Sequence, residues 1–441
     1  MVSGLTRGDH RGPEGEGHVD AGGSDMSSDQ AGDQAGVAIR ASTRRLSVTG
    51  VDQALAGASN VLVTVLAARA LSVAGFGYFG IVFMIYVMAQ GVSRALVGDP
   101  LLLHPAESQT RRGDVLGVGM VLGAGLAAVV LVAGVITTAW STQLGQALMV
   151  LAACLPFLVL QDLGRYVGFA QQRPALALTL DTAWLVLVIA GAAFVLAGDH
   201  RTLVWFVTAW AGSGAVAGLL VFAQHGVARA RVRWLVETWS YSWKFLVSYT
   251  STQGSALAAS AGVGAIAGPR ALGGVQGAFL LVRPFMTLQV AVAATGVPEI
   301  ARLDTSDRRV RGRVRTMTLV AGVGAAVNGV LLLVLPDVLG RAVLGATWSA
   351  AKPLLLPAAA QIMLIALVTG PRSGLIGLRA LGRTVPIDVA STVAVLAATV
   401  VGALADGAAG AMWGRVICWV VVALVWWATW LQHVRTREVA R

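Results

Sequence analysis

Apolar segments long enough to cross a lipid bilayer fill the sequence from about Val48 to Trp430. An α-helix rises about 1.5 Å per residue, so roughly 20 apolar residues span the hydrocarbon layer. A content of 56% apolar and 12% charged residues indicates a chain that is mostly surrounded by lipid. We therefore predict an all-α integral membrane protein with about twelve transmembrane helices. The predicted spans are Val48–Ala68, Phe76–Leu96, Val115–Thr138, Leu144–Leu163, Pro174–Ala197, Leu203–Ala223, Phe245–Ala267, Leu272–Val297, Met317–Leu339, Leu354–Ile376, Val385–Leu404 and Ala408–Leu431.

The arginines and lysines are concentrated in every second gap between these spans. Of the 33 basic residues, 25 lie in the two termini, in alternate gaps or, for Arg372, near the adjoining end of the span Leu354–Ile376, and three lie deeper inside spans. Because positive residues remain on the cytoplasmic side during insertion, both termini are predicted to be cytoplasmic in a multi-pass protein of the cytoplasmic membrane. The opposite gaps hold only five basic residues, namely Arg69, Arg201, Arg270, Arg341 and Lys352.

The composition also bears on several classes of function. A net charge of +11 spread over short membrane-flanking loops favours anionic lipid headgroups over nucleic acid as the counter-charge. Cys154 and Cys418 both lie in apolar segments, which is typical of small buried residues and not of a disulfide. The histidines show no metal-ligand spacing, and no catalytic motif or cofactor-binding motif is present. We expect no enzyme, no metal and no cofactor, although coupling to protons or sodium ions is possible.

The two halves of the sequence resemble each other. Arg165 precedes Asp181 by 16 residues, and Arg372 precedes Asp388 by the same interval. Two further pairs of matching positions are Phe76-Gly77 with Leu272-Gly273, and Trp210 with Trp413. The offsets, 196 to 207 residues, are nearly constant. This pattern predicts two six-helix lobes of equal orientation, related by a pseudo-two-fold axis along the membrane normal, with a cavity between them.

This repeat defines the predicted organisation of the chain. The tail is rich in Gly, Asp, Ser and Glu and is predicted to be disordered and cytoplasmic. The connector between the lobes carries Trp234, Trp239 and Trp243 among arginines, which is typical of a helix in the headgroup layer. The predicted boundaries are 1–46 for the tail, 47–225 for the N-terminal lobe, 226–244 for the connector, 245–432 for the C-terminal lobe and 433–441 for the C-terminus.

The three intramembrane arginines, Arg94, Arg283 and Arg415, are candidates for binding an anionic substrate. A guanidinium in hydrocarbon is costly unless it faces water, a partner or an anion. Arg283 lies about 16 Å from the outer end of its span, near the midplane. Arg94 lies near the cytoplasmic end, where pairing with Asp99 or snorkelling to the interface is an alternative to ligand contact. For Arg415 the two interpretations remain equally open.

Intramembrane carboxylates could couple transport to an ion, but none lies at the midplane. Asp52, Gln53 and Asn60 on the first span could line a cavity and take part in coupling. The alternative is a structural cluster in which Asp52, Asp162 and Asp181 pair with Arg94 and Arg165. The full set of candidates for cytoplasmic ion pairs is Asp99, Asp162, Arg165, Asp181, Arg372 and Asp388.

Several short motifs resemble those of bacterial polysaccharide flippases of the Wzx type, over about Ser47 to Leu431. This family is similar in fold to the lipid II flippase and to multidrug and toxin extruders. The matching motifs are Asp52-Gln53-x-Leu55 with Asn60, Ala68-Arg69-x-Leu71, Phe76-Gly77, Arg94-Ala95-Leu96-Val97-Gly98-Asp99-Pro100, Leu160-Gln161-Asp162-x-x-Arg165-Tyr166, Arg173-Pro174, Asp181, Gly277-Ala278 with Pro284, and Leu344-Gly345-x-Thr347-Trp348.

The resemblance implies alternating access by two lobes that move an isoprenoid-pyrophosphate-linked oligosaccharide to the outer leaflet. Arg283, Arg94 and Arg415 would then contact the pyrophosphate or acidic sugars. A polysaccharide polymerase and glycosyltransferases would be partner enzymes, and anionic lipids would surround the protein. Two other functions stay open, a cation-coupled multidrug antiporter with the same architecture and a membrane polysaccharide polymerase or ligase. The predominance of buried positive charge argues against the former, and the short external loops argue against the latter.

Overall fold

The computed structural model describes residues 57–198, 200–229, 232–303 and 307–439. Within these residues, nine helices are long and apolar enough to cross a membrane, and the shorter apolar helix Gly57–Ala70 adds another. Two of the nine contain a break that divides each into two spans. The described residues therefore supply twelve helical segments, which confirms the predicted all-α membrane fold. The predicted tail, the start of the first span, Asp52 and Gln53 lie outside the described residues.

Six helices form the N-terminal lobe. Side chains cap the amino ends of some of them: Ser72 accepts a hydrogen bond from the amide of Gly75, and Ser141 accepts one from the amide of Leu144. Pro174 occupies the first position of a helix whose observed bounds equal the predicted ones. The helices are α1 Gly57–Ala70, α2 Val73–Ser93, α3 Arg112–Thr137, α4 Thr142–Ala170, α5 Pro174–Ala197 and α6 Leu203–His225.

The remaining helices form the C-terminal lobe. Helix Arg233–Arg302 is interrupted at Gly268, whose φ of 86° suits glycine and reverses the chain ahead of Pro269. Helix Leu381–Val439 is interrupted in the same way at Asp406 and Gly407. The spans are α7 (233–267), α8 (269–302), α9 Asp307–Leu333, α10 Leu355–Gly377, α11 (381–405) and α12 (408–439), and a short helix Asp337–Leu344 followed by single helical turns leads into α10.

The connector, predicted to join the lobes as a helix in the headgroup layer, is helical from Arg233 onward. From Arg233 the chain is helical without a break into α7, because no glycine or proline occurs between Arg233 and Gln253. Its end is fastened to the loop between α2 and α3. Arg111 donates a hydrogen bond to Glu237 at 2.6 Å, and the Trp234 indole donates one to Glu107. The connector is thus an extension of α7 that packs on the N-terminal lobe.

Beyond Ser93, α2 continues without a break into a π-helical turn, Arg94–Gly98, and then into the helix Asp99–Leu103, and both are counted with α2 below. The amide of Asp99 bonds to the carbonyl of Arg94, five residues back. Pro100 explains this turn, because proline lacks an amide hydrogen and its ring clashes with the carbonyl four residues earlier. The turn changes the direction in which Arg94 and the residues after it point.

The two lobes meet where α2 and α8 begin, at the end predicted to be extracytoplasmic. A Cβ atom on Gly77 would overlap the carbonyl oxygen of Pro269, and one on Gly273 would overlap that of Val73. Each of these two contacts is the counterpart of the other. Val73 and Pro269 are separated by 196 residues, and so are Gly77 and Gly273. A contact of this kind is expected where a two-fold axis passes between equivalent surfaces. It confirms the predicted relation between the lobes.

Large apolar side chains remain exposed on the outer faces of the helices. Val129 on α3 is 68% exposed, and Ile417 and Leu424 on α12 are 67% and 66% exposed. Contiguous apolar surface of this kind is unfavourable in water and suits contact with lipid chains.

Candidate functional site

Three cavities among the described residues hold the intramembrane charges. One lies within the N-terminal lobe and measures about 230 Å³, and one of about 210 Å³ lies between α1, α2, α7 and α8 at the lobe boundary. The third, of about 530 Å³, lies within the C-terminal lobe. Arg94 lines the first, Arg283 the second and Arg415 the third. The three candidate arginines are thus distributed over separate cavities.

In the N-terminal cavity, Arg94 forms a bidentate ion pair with Asp162 of α4. Its Nε and Nη2 atoms both donate to the carboxylate, at 2.7 Å and 2.7 Å. The Asp162 side chain has no exposed surface, whereas that of Arg94 is 37% exposed. A planar guanidinium in this geometry matches both carboxylate oxygens, so Arg94 is held to α4 and its charge is compensated.

A second arginine extends this cluster to α5. Arg165 lies 3.4 Å from Asp162 and 3.1 Å from Asp181, and Gln161 donates to Asp181 at 3.0 Å. Asp181 and Arg165 are buried, with 4% and 7% exposure. Two guanidinium groups and two carboxylates therefore form a neutral cluster that joins α2, α4 and α5.

Of the alternatives that the sequence left open for Arg94, the structure contains the cluster with Asp162, Asp181 and Arg165 and not the pair with Asp99. Both hydrogen bonds that the Arg94 guanidinium makes to a carboxylate in the described structure go to Asp162. Asn60 also lines this cavity, beside the cluster. Asp52, the third expected carboxylate, lies outside the described residues, as does Gln53.

Arg283 occupies the cavity at the lobe boundary. Its Nη1 donates to the Thr64 hydroxyl of α1 at 3.2 Å, and its guanidinium carbon lies 5.9 Å from the ring centre of Phe83. The described lining of this cavity contains no carboxylate, and its other polar groups are Gln253 and Gln276. Arg283 therefore carries a positive charge at the lobe boundary that is partnered by a hydroxyl and an aromatic face.

The C-terminal cavity contains an ion pair and a further arginine. Arg372 of α10 donates from Nε and Nη2 to both oxygens of Asp388 of α11, each at 3.0 Å. Arg415 of α12 instead lies over the ring of Phe279, 4.7 Å from its centre. The Nε atom of Arg415 is buried and has no hydrogen-bond partner within the described structure. The Arg415 charge is thus left without a carboxylate.

Sequence analysis did not identify several residues that shape these sites. Thr64, Phe83 and Phe279 contact the arginines, yet hydroxyl and aromatic residues are common in membrane helices and carry no distinctive spacing. Gln361 is buried in the C-terminal cavity, at 3% exposure. An amide inside an apolar span is a signal that could have drawn attention to this residue.

Charged contacts also occur outside the bilayer. Glu237 of the connector accepts hydrogen bonds from Arg111 at 2.6 Å and from Arg233 at 2.9 Å. These bonds, that from Arg111 first, lower the pKa of the Glu237 carboxyl below its ordinary value. At the opposite end, Lys352 and Trp348 both donate to Asp337 and lower the pKa of its carboxyl. Within the described ranges, no cluster of three His, Cys, Asp or Glu residues could hold a metal ion.

The architecture matches solved membrane transporters. An inward-facing multidrug resistance MATE family transporter of the MOP superfamily superimposes with a TM-score of 0.66 at 14% identity, over 89% of this chain and 98% of that one. The lipid II flippase MurJ, in an inward closed conformation, gives 0.64 at 9% identity, over 86% and 87%. The chain has the fold of the MOP-superfamily transporters. No protein-family model matches the sequence, and no curated protein matches it.

A third solved structure with the MOP fold is also similar to this chain. It is a transporter from Pyrococcus furiosus whose pocket is described as having reversed polarity, which suggests a different function. Its TM-score is 0.58 at 12% identity, over 90% of this chain and 96% of that one. At such identities the comparison concerns the fold, and the substrate has to be argued from the side chains in the cavities.

Proposed function

We propose that this protein flips isoprenoid-pyrophosphate-linked oligosaccharides across the cytoplasmic membrane by alternating access between its lobes. The observation that carries the proposal is Arg283 in the cavity at the lobe boundary. No carboxylate lines that cavity among the described residues, so its field favours an anionic group. A pyrophosphate is the anionic part of such a lipid, and the polyprenyl chain can remain in the bilayer.

The chemistry of Arg283 suits a phosphate ligand. A guanidinium presents several N–H groups in a rigid plane and can bind two phosphate oxygens together. The present partners of Arg283 are Thr64 and the face of Phe83, which a ligand could replace or join without breaking an ion pair. The Thr64 hydroxyl could itself donate to a phosphate oxygen.

The arrangement of the lobes suits alternating access. At the end predicted to be extracytoplasmic, glycines hold α2 and α8 in close contact near Gly77 and Gly273. Separating the lobes there while closing them at the other end would expose Arg283 first to one leaflet and then to the other. Small residues at the contact permit such movement, because helices without side chains between them can approach and slide.

A cation-coupled multidrug antiporter is the second candidate, since the highest of these TM-scores belongs to a MATE transporter. Cationic drugs would require carboxylates in the cavity, whereas the charge at the lobe boundary is positive. A polysaccharide polymerase or ligase receives less support. The connections at the predicted outer face are short in the described structure, and the longest, 334–354, is itself largely helical.

Reconstituted vesicles provide the test. Flipping of a fluorescent undecaprenyl-pyrophosphate oligosaccharide would be compared with movement of a cationic dye, with and without a proton or sodium gradient. We expect movement of the lipid-linked sugar alone, and the gradient that accelerates it would identify the coupling ion. Movement of the dye alone would overturn the proposal in favour of the antiporter.

Variants of Arg283 connect this activity to the cavity. Arg283→Ala is expected to abolish flipping while the protein stays inserted and folded, because the change removes a cation without burying a new charge. Arg283→Lys is expected to restore only part of the rate, since an ammonium group cannot make a bidentate contact. Wild-type flipping by Arg283→Ala would show that the pyrophosphate binds elsewhere.

A further inference from the structure

We infer that the C-terminal cavity binds an acidic sugar of the transported oligosaccharide, and that Arg415 binds the carboxylate of that sugar. This inference rests on the proposed flippase function and specifies the substrate class. It assigns the cavity within the lobe a role separate from that of Arg283 at the lobe boundary. The C-terminal cavity measures about 530 Å³, which is more than twice the volume of the boundary cavity. A volume of 530 Å³ lies within the range of sites for small organic ligands.

The charges in this cavity leave one positive charge without a counter-ion. Arg372 and Asp388 neutralise each other through two hydrogen bonds of 3.0 Å. Arg415 is the remaining charged residue of the described lining. A single carboxylate on a sugar would therefore complete the charge balance, whereas a neutral sugar would leave the guanidinium uncompensated.

The surroundings of Arg415 do not supply a structural reason for its charge. Its Nε is buried and makes no hydrogen bond within the described structure, and its aromatic neighbour Phe279 offers an aromatic face and no anion. A cation–π contact compensates only part of the loss of water around a guanidinium. An intramembrane cation in this state is expected to face a ligand.

Further residues of the lining suit a carbohydrate. Gln361 is 97% buried, lines the cavity, and its Oε1 atom has no hydrogen-bond partner among the described groups. A glutamine amide offers both a donor and an acceptor, as sugar hydroxyl groups require. Trp419, which is half-buried, also lines the cavity, and an indole ring can provide a flat surface for the apolar face of a sugar ring.

The position of the cavity relative to Arg283 fits the covalent structure of the substrate. The Arg415 guanidinium lies over the ring of Phe279. Phe279 precedes Arg283 by four residues on α8, a rise of about 6 Å along the helix. Met84 and Ala256 line both the boundary cavity and the C-terminal cavity, so the two adjoin. A pyrophosphate at Arg283 would place the first sugars, which are attached directly to it, at the entrance to the C-terminal cavity.

The test compares two substrates that differ in one group. Undecaprenyl-pyrophosphate trisaccharides containing either glucose or glucuronate at the same position would be flipped by vesicles with wild-type protein, Arg415→Gln, Arg415→Lys or Arg283→Gln. We expect wild type to flip the glucuronate substrate faster. Arg415→Gln should lower that rate about tenfold and change the glucose rate less than about twofold, as expected for loss of one charged hydrogen bond. Arg283→Gln should impair both substrates.

Each outcome distinguishes this inference from the proposed function. Selective loss in Arg415→Gln with partial recovery in Arg415→Lys supports the acidic-sugar site. Equal rates for both substrates in Arg415→Gln and wild type, or an equal loss for both, overturns it while leaving the flippase function in place. Failure of wild type to flip either substrate overturns both. Extraction as a monodisperse protein with unchanged thermal unfolding verifies that the variants are folded. If Arg415→Gln is not folded, Arg415→Lys tests the site in its place.

Discussion

The N-terminal and C-terminal lobes arrange equivalent helices around differently charged centres. In the N-terminal lobe, Arg94 of α2 bonds to Asp162 of α4. One position away from the equivalent place in the C-terminal lobe, Gln289 of α8, which the 196-residue offset equates with Ser93, donates to the Thr369 hydroxyl of α10 at 3.2 Å. The same helix pair is thus joined by an ion pair in one lobe and by a neutral hydrogen bond in the other. The repeat preserves the connection between the helices and changes its charge.

The second ion pair is present in both lobes but differs in exposure. Arg165 and Asp181 are buried at 3.1 Å, whereas the side chains of Arg372 and Asp388 are 44% and 39% exposed. Breaking a buried pair leaves a charge without water or partner, while an exposed pair is replaced by hydration. The N-terminal cluster is therefore suited to holding helices together, and the C-terminal pair to lining a cavity.

The lobes also use matching phenylalanines in different ways. Phe83 and Phe279 are separated by 196 residues, the offset of the glycine contact at the lobe boundary. The guanidinium of Arg283, on α8, lies over the Phe83 ring. The guanidinium of Arg415, on α12, lies over the Phe279 ring. Equivalent aromatic surfaces thus receive arginines from helices that are not equivalent. Both arginines belong to the C-terminal lobe, which makes its side of the protein the more cationic.

The largest effect is expected from Asp162→Asn. The change leaves Arg94 and Arg165 with one carboxylate between them in a buried setting, and should lower the free energy of unfolding by roughly 3–5 kcal/mol. Thermal unfolding of the detergent-solubilised protein would measure the loss, together with the yield of folded protein in membranes.

The double variant Arg94→Gln/Asp162→Thr sharpens this test, because it gives the N-terminal pair the residue types of the C-terminal pair, Gln289 and Thr369. We expect it to recover much of the lost stability, since the uncompensated Arg94 charge is removed as well. A double variant as unstable as Asp162→Asn would mean that the lobes are not interchangeable at this position.

The next prediction concerns the contact between α2 and α8, where the two lobes use equivalent glycines. Gly77→Ala and Gly273→Ala should each destabilise the closed contact between α2 and α8 by roughly 1–3 kcal/mol, because the new methyl group overlaps backbone of the other lobe. Flipping should fall by a similar factor in both. Gly125→Ala is the matched control, since its Cβ would meet open space on α3. Strongly unequal losses for the two variants would contradict the two-fold relation at this contact.

A smaller effect is expected from Asp388→Asn, the counterpart of a substitution at Asp181. Arg372 and Asp388 are each more than a third exposed, so losing the pair should lower the free energy of unfolding by at most about 1 kcal/mol. Thermal unfolding of Asp388→Asn beside Asp181→Asn provides the comparison. A loss as large as that of Asp181→Asn would refute the assignment of a structural role to one pair and a cavity role to the other.

Hydropathy predicted the spans because burial in lipid depends on composition over about 20 residues and little on neighbouring helices. The repeat was visible because Arg165–Asp181 and Arg372–Asp388 preserve their spacing. The sequence offered two ion partners for Arg94, Asp99 or the cluster with Asp162, and it could not decide between them, because the choice depends on how α2 and α4 pack. Likewise, the tryptophans of the connector suggested an interfacial helix, whereas its continuity with α7 followed from an absence of helix breakers.

The smallest expected effect concerns the connector. The connector is the start of α7, yet it is hydrogen-bonded to the loop between α2 and α3 of the N-terminal lobe. Hydrogen bonds from Arg111 and Arg233 lower the pKa of Glu237, so their contribution is complete above the ordinary glutamate value of about 4.3 and is lost as the pH falls through the lower, folded-state pKa. Acidification should therefore loosen the connector. A spin label at the exposed position Ser240 would report this as increased mobility between pH 6 and pH values below about 4.

The variant Glu237→Gln distinguishes the contribution of the Glu237 carboxyl from that of Glu107. Glu107 accepts a hydrogen bond from the Trp234 indole in the same contact. Without the Glu237 charge, the label should already be more mobile at neutral pH and should change less on acidification. If the variant kept the full wild-type transition, the Glu237 carboxyl would not be the responsible group, and the attachment of the connector would depend on the Trp234 contact and not on the arginines. Either result identifies which side chain fixes the start of α7, and with it the C-terminal lobe, to the loop between α2 and α3.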